Sequence, residues 1–226
     1  LKGWNSTSDN WYMVKNPTYW NKSVVKLDKM TFTVIKDPST ALNKYQSGQI
    51  DYTTLSGTQV KQFKNSKEYK NYPAASTFYI EMNEKKDPIF KNANIRKAIS
   101  LSIDRSQFVN KVLADGSIAP KGFVAANMVK KNGQDFADAS YVPSSVSYNL
   151  AQAKKLWAKG MKQEGKTSIS LSLLSDDTTQ AKNSTEFIQS QLTKLPGLKI
   201  TNQNLPFKTR LTRSTNGQFD LVMSAW

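Results

Sequence analysis

The sequence contains no cysteine and no histidine, so its potential catalytic side chains are carboxylates, lysines and hydroxyls. This composition excludes thiol nucleophiles, serine–histidine catalysis and zinc sites built from cysteine and histidine. A pair of carboxylates could still hydrolyse a glycosidic bond, one as acid and the other as base or nucleophile. The candidate acids Asp51, Glu81 and Asp104 each also suit a helix cap or a surface position. Their spacing shows no convergent pair, so we expect no catalytic residue and no enzyme activity.

The net charge of +15 raises nucleic acid as a partner. Only four of the 32 basic residues are arginine, the residue whose forked guanidinium best recognises bases and phosphates. The lysines are spread along the sequence at solvent-facing helical spacings, as in KQFKNSKEYKN and AQAKKLWAKGMKQ. We interpret them as a solvated surface and expect no nucleic acid partner. Attraction to an anionic surface such as cell wall or lipid headgroups is the alternative.

The length of 226 residues suffices for one large domain or two small ones, each with its own core. The sequence contains no run of 18 apolar residues that could span a bilayer. It starts at Leu1 without a basic-then-apolar leader. We interpret it as a segment of a longer protein whose targeting segment has been removed.

Short alternating or apolar runs alternate with amphipathic helices, the pattern of an α/β or α+β protein. In the first part we predict strands at 11–16 and 29–35, then a helix that follows Pro38-Ser39-Thr40, runs through TALNKYQSG and stops at Gly48. In the second part, strand–helix–strand units imply parallel pairing. Residues 1–75 are expected to form a separate, partial sheet. The second part is predicted to form one sheet flanked by helices, with strands near 77–83, 168–174, 198–203 and 219–225.

The stretch FKNANIRKAISLSIDRSQFVNKVLADG, residues 90–116, carries two apolar stripes separated by Asp104 and Arg105. Asp104 followed by Gln107 is the pattern of a helix N-cap, in which the acid accepts the free amides of a new helix. This spacing predicts two abutting helices. It also places Arg105 in the first turn of the second helix, where its head group is expected to reach solvent.

Four motifs occur in an order and spacing that resembles the solute-binding proteins of oligopeptide ABC importers, the family-5 extracellular binding proteins. They are NPTYWN (16–21), YQSGQIDYT (45–53), TFYIEMN (77–83) and the stretch 90–116. The closing NGQFDLVMSAW resembles the strand of that family that runs into the ligand cleft. The resemblance covers essentially all 226 residues.

The resemblance implies an α/β fold of the periplasmic-binding-protein-like class II (cluster C), of which only part is present. Residues 1–75 resemble part of the first lobe, residues 76–226 resemble a nearly complete second α/β lobe, and the hinge is expected near 74–77. Proteins of this family bind oligopeptides in extended form between the lobes and deliver them to a membrane permease. Pairing of the peptide backbone with strand-like protein backbone gives an affinity that is independent of peptide sequence.

Carried over residue by residue, the resemblance implies a set of peptide-binding residues. Met223 falls where some members have an arginine that engages the peptide carboxylate, and Ser76 falls where some relatives have a cysteine. Trp226 stops just short of the aspartate that receives the peptide's amino terminus in some members. The implied ligand-binding residues are Tyr79, Thr54, Leu55, Ser224, Ala225 and Trp226.

The resemblance also implies partners and a location. The expected partners are an oligopeptide ligand and the permease and ATPase subunits of an ABC importer, with the binding protein itself monomeric and free of cofactor and metal. We expect a lipid-anchored protein on the extracellular face of the cytoplasmic membrane of a single-membrane bacterium, or a periplasmic protein in a bacterium with two membranes. Within the same family, a signalling-peptide binder or a binder of nickel or a glycoside is the alternative; without histidine, a His–metal site is impossible in this sequence.

Overall fold

A computed structural model describes residues 1–5 and 7–226 of the chain. The described residues divide into two compact units, Leu1–Thr54 and Leu55–Trp226. Among them, no helix is both long enough and apolar enough to cross a membrane.

In its described residues, the first unit contains a two-stranded antiparallel sheet, a short 3-10 turn at Lys22–Val24 and one α-helix. Strand β1 (Asn10–Val14) pairs with β2 (Lys29–Thr33), and the facing rings of Trp11 and Phe32 stack with centroids 5.4 Å apart. Helix α1 (Pro38–Gln46) begins where Asp37 accepts a 2.7 Å hydrogen bond from the Thr40 amide. The chain then turns through Gly48 at φ +71°, which confirms the predicted helix end. The predicted strands are confirmed, with ends that differ from the predicted ones by at most two residues.

The second unit contains the remaining elements. Short 3-10 and π-helical turns lie at Pro88–Lys91 and Phe108–Leu113. In chain order the elements are α2 (Thr58–Phe63), β3 (Phe78–Met82), α3 (Ala93–Ser102), α4 (Arg105–Gln107), β4 (Lys130–Lys131), β5 (Gln134–Asp135), α5 (Phe136–Ala139), α6 (Pro143–Val146), α7 (Leu150–Gln163), β6 (Ile169–Asp176), α8 (Thr179–Leu192), β7 (Leu198–Leu205), α9 (Phe207–Thr215) and β8 (Leu221–Ala225).

Strands β3, β8, β6 and β7 form one four-stranded sheet in that order. Strand β6 is parallel to both β7 and β8. Strand β3, an outer strand of the sheet, runs antiparallel to β8. The predicted sheet is therefore confirmed, including parallel pairing in its β6–α8–β7 part. The two faces of this sheet differ in how much of their surface is covered by helices.

One face of the sheet carries the main hydrophobic core. Helices α3, α7 and α8 cover it, with Ile99, Trp157 and Leu221 among the buried side chains. The Trp157 indole donates a 2.8 Å hydrogen bond to the Pro196 carbonyl, so its one polar atom is satisfied. Helices α3 and α7 approach closely at Gly160, where an added Cβ would lie 2.6 Å from Cδ1 of Ile95.

The other face carries a smaller apolar cluster, made by Leu174, Phe219 and Val222 with Leu205 packed against it. Helix α9 contacts β6 and β7. Beyond Val222 toward the end of β8, the side chains become half-buried or exposed. This face is thinner than the first, and its β8 end is open.

The two predicted helices within 90–116 are confirmed, because α3 ends at Ser102 and Asp104 accepts a 2.9 Å hydrogen bond from the Gln107 amide at the start of α4. The expectation that the Arg105 head group reaches solvent is wrong. Its Nη1 donates to the carbonyls of Ser100 (2.9 Å) and Val146 (2.8 Å), which fastens α6 to the end of α3. Burial lowers the pKa of this guanidinium.

The division into units falls about 20 residues before the predicted lobe boundary at 75/76. Residues 55–75 pack within the second unit because hydrogen bonds tie them to the end of the Phe108–Leu113 turn and the residues after it. The Gly57 amide donates to the Leu113 carbonyl at 3.0 Å, and the Asn71 side chain donates to the Asp115 carbonyl at 3.4 Å. The assignment of 1–75 and 76–226 to two lobes of a longer protein stays a prediction.

Candidate functional site

Strands β6 and β8 run in parallel toward the same edge of the sheet, where β6 ends at Asp176 and β8 ends at Ala225. Strand β3 begins at that edge, since Phe78 pairs with Ala225. Ligands of open α/β sheets bind beyond the carboxyl ends of the strands. Phe78 and Trp226 leave 67% and 80% of their surface exposed there, so the edge offers aromatic surface for contact.

The end of β8 is paired on one side only. Its register with β6 covers Leu173↔Leu221 and Leu174↔Val222, whereas its register with β3 continues to Ala225. Thr77 and Trp226 exchange two backbone hydrogen bonds of 2.9 and 3.1 Å. Such pairs alternate along an antiparallel ladder, so the N–H and C=O of Ala225 point away from β3. They face the side of β8 that lies past the end of its pairing with β6.

Three polar side chains form a row across the thin face of the sheet at this level. Tyr79 on β3 stands opposite Ser224 on β8. Extending the β6–β8 register two residues beyond Leu174↔Val222 places Asp176 level with Ser224. We call Tyr79, Ser224 and Asp176 the edge row.

Arg210 joins two members of the edge row. It is the buried residue of α9, with 8% of its surface exposed. Its Nε and Nη2 donate to the two carboxylate oxygens of Asp176 at 2.9 and 3.4 Å, and its Nη1 donates to Ser224 Oγ at 3.4 Å. The Phe207 ring lies against the guanidinium, 5.1 Å from its Cζ. The guanidinium therefore bridges the side chains of β6 and β8 where these strands no longer pair.

At the other end of the edge row, the half-buried Tyr79 packs on Phe123, with ring centroids 5.6 Å apart. Phe123 belongs to the irregular segment between Ala114 and Met128 and is itself exposed. The edge row is thus bounded by an aromatic pair on the β3 side and by an ion pair on the β6 side.

The whole chain, residues 1–226, matches the family of bacterial extracellular solute-binding proteins, family 5 middle. The chain belongs to this family. The α/β fold predicted from the sequence is confirmed, because the family's solved peptide-binding proteins share it.

Several relatives are named as peptide-binding proteins. The chain is 35% identical to a dipeptide-binding protein of Lactococcus lactis over 237 residues, which covers 100% of the chain and 42% of the relative. It superposes on OppA of Listeria monocytogenes bound to peptide with a TM-score of 0.92 at 39% identity, covering 100% of the chain and 45% of that structure. The pheromone receptor PrgZ gives a TM-score of 0.89 at 37% identity, covering 97% and 44%. The chain thus spans less than half the length of these proteins.

The structure brings together four of the six residues that the sequence predicts for the family's ligand site. Four of them lie together where β3 begins and β8 ends: Tyr79, Ser224, Ala225 and Trp226. Leu55 is half-buried in the irregular segment before α2 of the same unit, and Thr54 is exposed in the first unit. The assignment of all six residues to ligand binding stays a prediction.

Sequence reasoning missed Arg210, Asp176 and Phe123. Arg210 lies in a short helix whose other residues are half-buried or exposed, so periodicity gave no sign that one cation is buried. The signal present was an acid at the end of one strand and an arginine on a later helix. Phe123 lies in a segment without helix or strand periodicity, which gives no basis for placing it beside Tyr79.

Two further acids, Asp87 and Asp220, lie close together where β8 begins. Asp220 accepts hydrogen bonds from the Ser172 amide and hydroxyl, at 2.6 and 2.7 Å, and pairs with Lys86. Burial would raise the pKa of Asp220, but the hydrogen bonds from Lys86 and Ser172 outweigh burial and lower it. Burial and the neighbouring Asp220 carboxylate raise the pKa of Asp87. Within 1–5 and 7–226, no group of three or more acidic side chains is arranged to hold a metal ion.

Proposed function

We propose that this chain is part of the substrate-binding component of an ABC importer, which captures oligopeptides in extended form and delivers them to a membrane permease. The observation that carries the proposal is the end of β8. There the backbone N–H and C=O of Ala225 point to the β6 side of β8, where, among the described residues, the pairing of β8 with β6 has already ended at Val222. A peptide could be added as a strand at this place, as in other cases of β-strand addition.

Backbone pairing at Ala225 gives affinity without reading peptide sequence, because every peptide carries the same backbone groups. Side chains of the peptide would then lie against Tyr79, Phe78 and Trp226, whose rings flank the strand end. Aromatic surfaces of this kind accept many apolar side chains, and water can fill the unused space. The names of the relatives, dipeptide-binding and oligopeptide-binding, support the same ligand class.

The proposal includes the rest of the importer. A longer protein would supply the remaining part of the first lobe and the end of the chain, since the relatives are more than twice as long. It would close around the peptide by motion near residues 74–77 and dock as a monomer on the permease and ATPase subunits. Its place would be outside the cytoplasmic membrane, with a lipid anchor in a single-membrane bacterium.

The experiment is a calorimetric titration of the full-length protein and its Ala225→Pro variant with a mixed tripeptide-to-hexapeptide library. Proline removes the amide hydrogen at 225, so we expect peptide affinity to fall at least 10-fold, the effect of a lost hydrogen bond of about 1.5 kcal/mol. Ala225→Val keeps the amide and serves as the matched control, with affinity expected within about threefold of the unaltered protein. Equal peptide binding by the proline variant would contradict the placement of the peptide along β8.

A further inference from the structure

The guanidinium of Arg210 has more donors than the protein uses. A guanidinium carries five N–H groups. One on Nε and one on Nη2 go to Asp176, and one on Nη1 goes to Ser224, within the described residues. One N–H on each Nη therefore has no acceptor in the described part of the chain. Arg210 is 8% exposed as a whole, and a donor in a buried residue is costly without an acceptor, so the two spare N–H groups need an acceptor from outside the described chain, a ligand or water.

The spare donors lie at the edge row. Nη1 lies 3.4 Å from Ser224 Oγ, so its second N–H also lies close to the end of β8. One residue further, the backbone N–H and C=O of Ala225 point to the β6 side of β8, past the end of the β6–β8 pairing. An extended chain placed along this side would bring a carbonyl oxygen within reach of the guanidinium.

The charge of the site decides which acceptor fits. Asp176 pairs with Arg210 through both carboxylate oxygens, so the two formal charges cancel. The residue before Ser224 is the apolar Met223, which adds no cation. A terminal carboxylate brought here would meet the Asp176 carboxylate without a net positive charge to offset the loss of its hydration. A neutral carbonyl oxygen has no such penalty.

We propose that Arg210 is a further peptide-binding residue, which donates a hydrogen bond to a backbone carbonyl of the extended peptide, and that Asp176 makes the site indifferent to the peptide's terminal carboxylate. The consequence is capture that does not measure peptide length at this position. This inference rests on the proposed function, because it assumes a peptide along β8.

The test uses the full-length protein and a soluble alanine-rich pentapeptide, prepared once with a free carboxyl terminus and once as the terminal amide. The unaltered protein should bind both forms with equal affinity, within about twofold. Arg210→Met should weaken the amide by about 10- to 100-fold, as expected for loss of a hydrogen bond from a charged donor, and the free acid by more, because the Asp176 carboxylate then has no cation beside it. Arg213→Met is the matched control on the same helix, because Arg213 donates to the Gln218 carbonyl and not to the edge row; its affinities should be unchanged.

Asp176→Asn gives a readout that a merely structural role would not produce. It leaves the guanidinium with an uncompensated charge, so the free acid should now bind at least fivefold more tightly than the amide. If Arg210→Met fails to fold, Arg210→Lys replaces it, since lysine keeps the charge but lacks the fork; it should weaken both peptide forms equally.

Two results would overturn the inference: unchanged affinity in the folded Arg210 variant, or a preference of the unaltered protein for the free acid that disappears in that variant. If the folded, unaltered protein bound neither form nor any peptide of a mixed library, the proposed function itself would fail. The two failures are therefore distinguishable.

Discussion

At the scale of single residues, Asp87 and Asp220 show how one neighbourhood can shift two equal carboxyls in opposite directions. Lys86 and Ser172 donate hydrogen bonds to Asp220 and so stabilise its ionised carboxylate. Asp87 is half-buried beside that charge, and its buried Oδ2 has no hydrogen-bond partner in residues 1–5 and 7–226. The proton of the pair therefore stays on Asp87 to a higher pH than the ordinary value of 3.8.

The sign of the pH dependence follows from these directions. A raised pKa in Asp87 contributes stability below its unfolded value, and this contribution is lost as the pH rises through the folded value. The lowered pKa of Asp220 does the opposite, since its contribution is lost as the pH falls through the folded value. We predict that Asp87→Asn raises the melting temperature of the full-length protein at pH 7 and leaves it nearly unchanged at pH 3.

Thermal unfolding from pH 3 to pH 8 measures both effects. Asp220→Asn is the matched control and should lower the melting temperature at pH 7, because it removes the ion pair with Lys86 and weakens acceptance from Ser172. A lower melting temperature for Asp87→Asn at pH 7 would show that the Asp87 charge is stabilising and that the assigned direction is wrong.

Asp104 offers a second prediction at this scale. Its side chain accepts the Gln107 amide at the start of α4, so Asp104→Ala should cost about 0.5–2 kcal/mol in the free energy of unfolding. Peptide affinity of the full-length protein should stay the same, because the residue acts as a cap. Denaturant unfolding and calorimetry on the same sample measure the two quantities. Normal stability combined with lost binding would refute the cap assignment.

At the scale of elements, the close approach of α3 and α7 at Gly160 sets the position of both helices on the sheet. An added Cβ would lie 2.6 and 2.8 Å from two side-chain carbons of the fully buried Ile95. Gly→Ala in a helix gains about 1 kcal/mol in propensity, whereas overpacking a core costs about 1–3 kcal/mol. We predict that Gly160→Ala lowers the free energy of unfolding.

The same substitution should have the opposite sign when the obstructing side chain is absent. In an Ile95→Ala background, Gly160→Ala should raise the free energy of unfolding relative to Ile95→Ala alone. The two closest contacts are then gone, and the remaining one, the Ile95 backbone nitrogen at 3.3 Å, requires a shift of only a few tenths of an ångström. Denaturant unfolding of the four proteins in this cycle measures the coupling. Additive effects would show that the two helices do not meet as described.

The elements were largely predictable because their signals are local. Alternation in SISLSLL and FDLVMSAW, and the cap pair Asp104 and Gln107, identified strands and helix starts that the structure contains. The Arg105 head group was wrongly placed in solvent, since its acceptor at Val146 is 41 residues away in sequence and no local pattern reports it. Arg210 and Phe123 were missed for the same reason. Their partners are set by how distant elements pack, and neither lies on a periodic face.

At the scale of the whole molecule, the chain covers less than half the length of its relatives, so we predict that residues 1–226 are not sufficient for function. In the proposed function the ligand is held between two lobes, and a protein that supplies only part of one lobe would lose contacts and water exclusion. Residues 1–226 prepared alone should therefore show no heat with a mixed peptide library, whereas the full-length protein should show clear heats. Micromolar or tighter binding by the segment alone would mean that the peptide site lies entirely within it.

We propose that the full-length protein captures extended peptides without reading their sequence. The decisive measurement is native mass spectrometry of that protein as purified, followed by release and sequencing of its ligands. We expect one bound ligand per monomer and, after release, a mixture of peptides of varied sequence. Release of a single non-peptide solute such as a glycoside, or the absence of any bound peptide together with no heat from a mixed library, would contradict it.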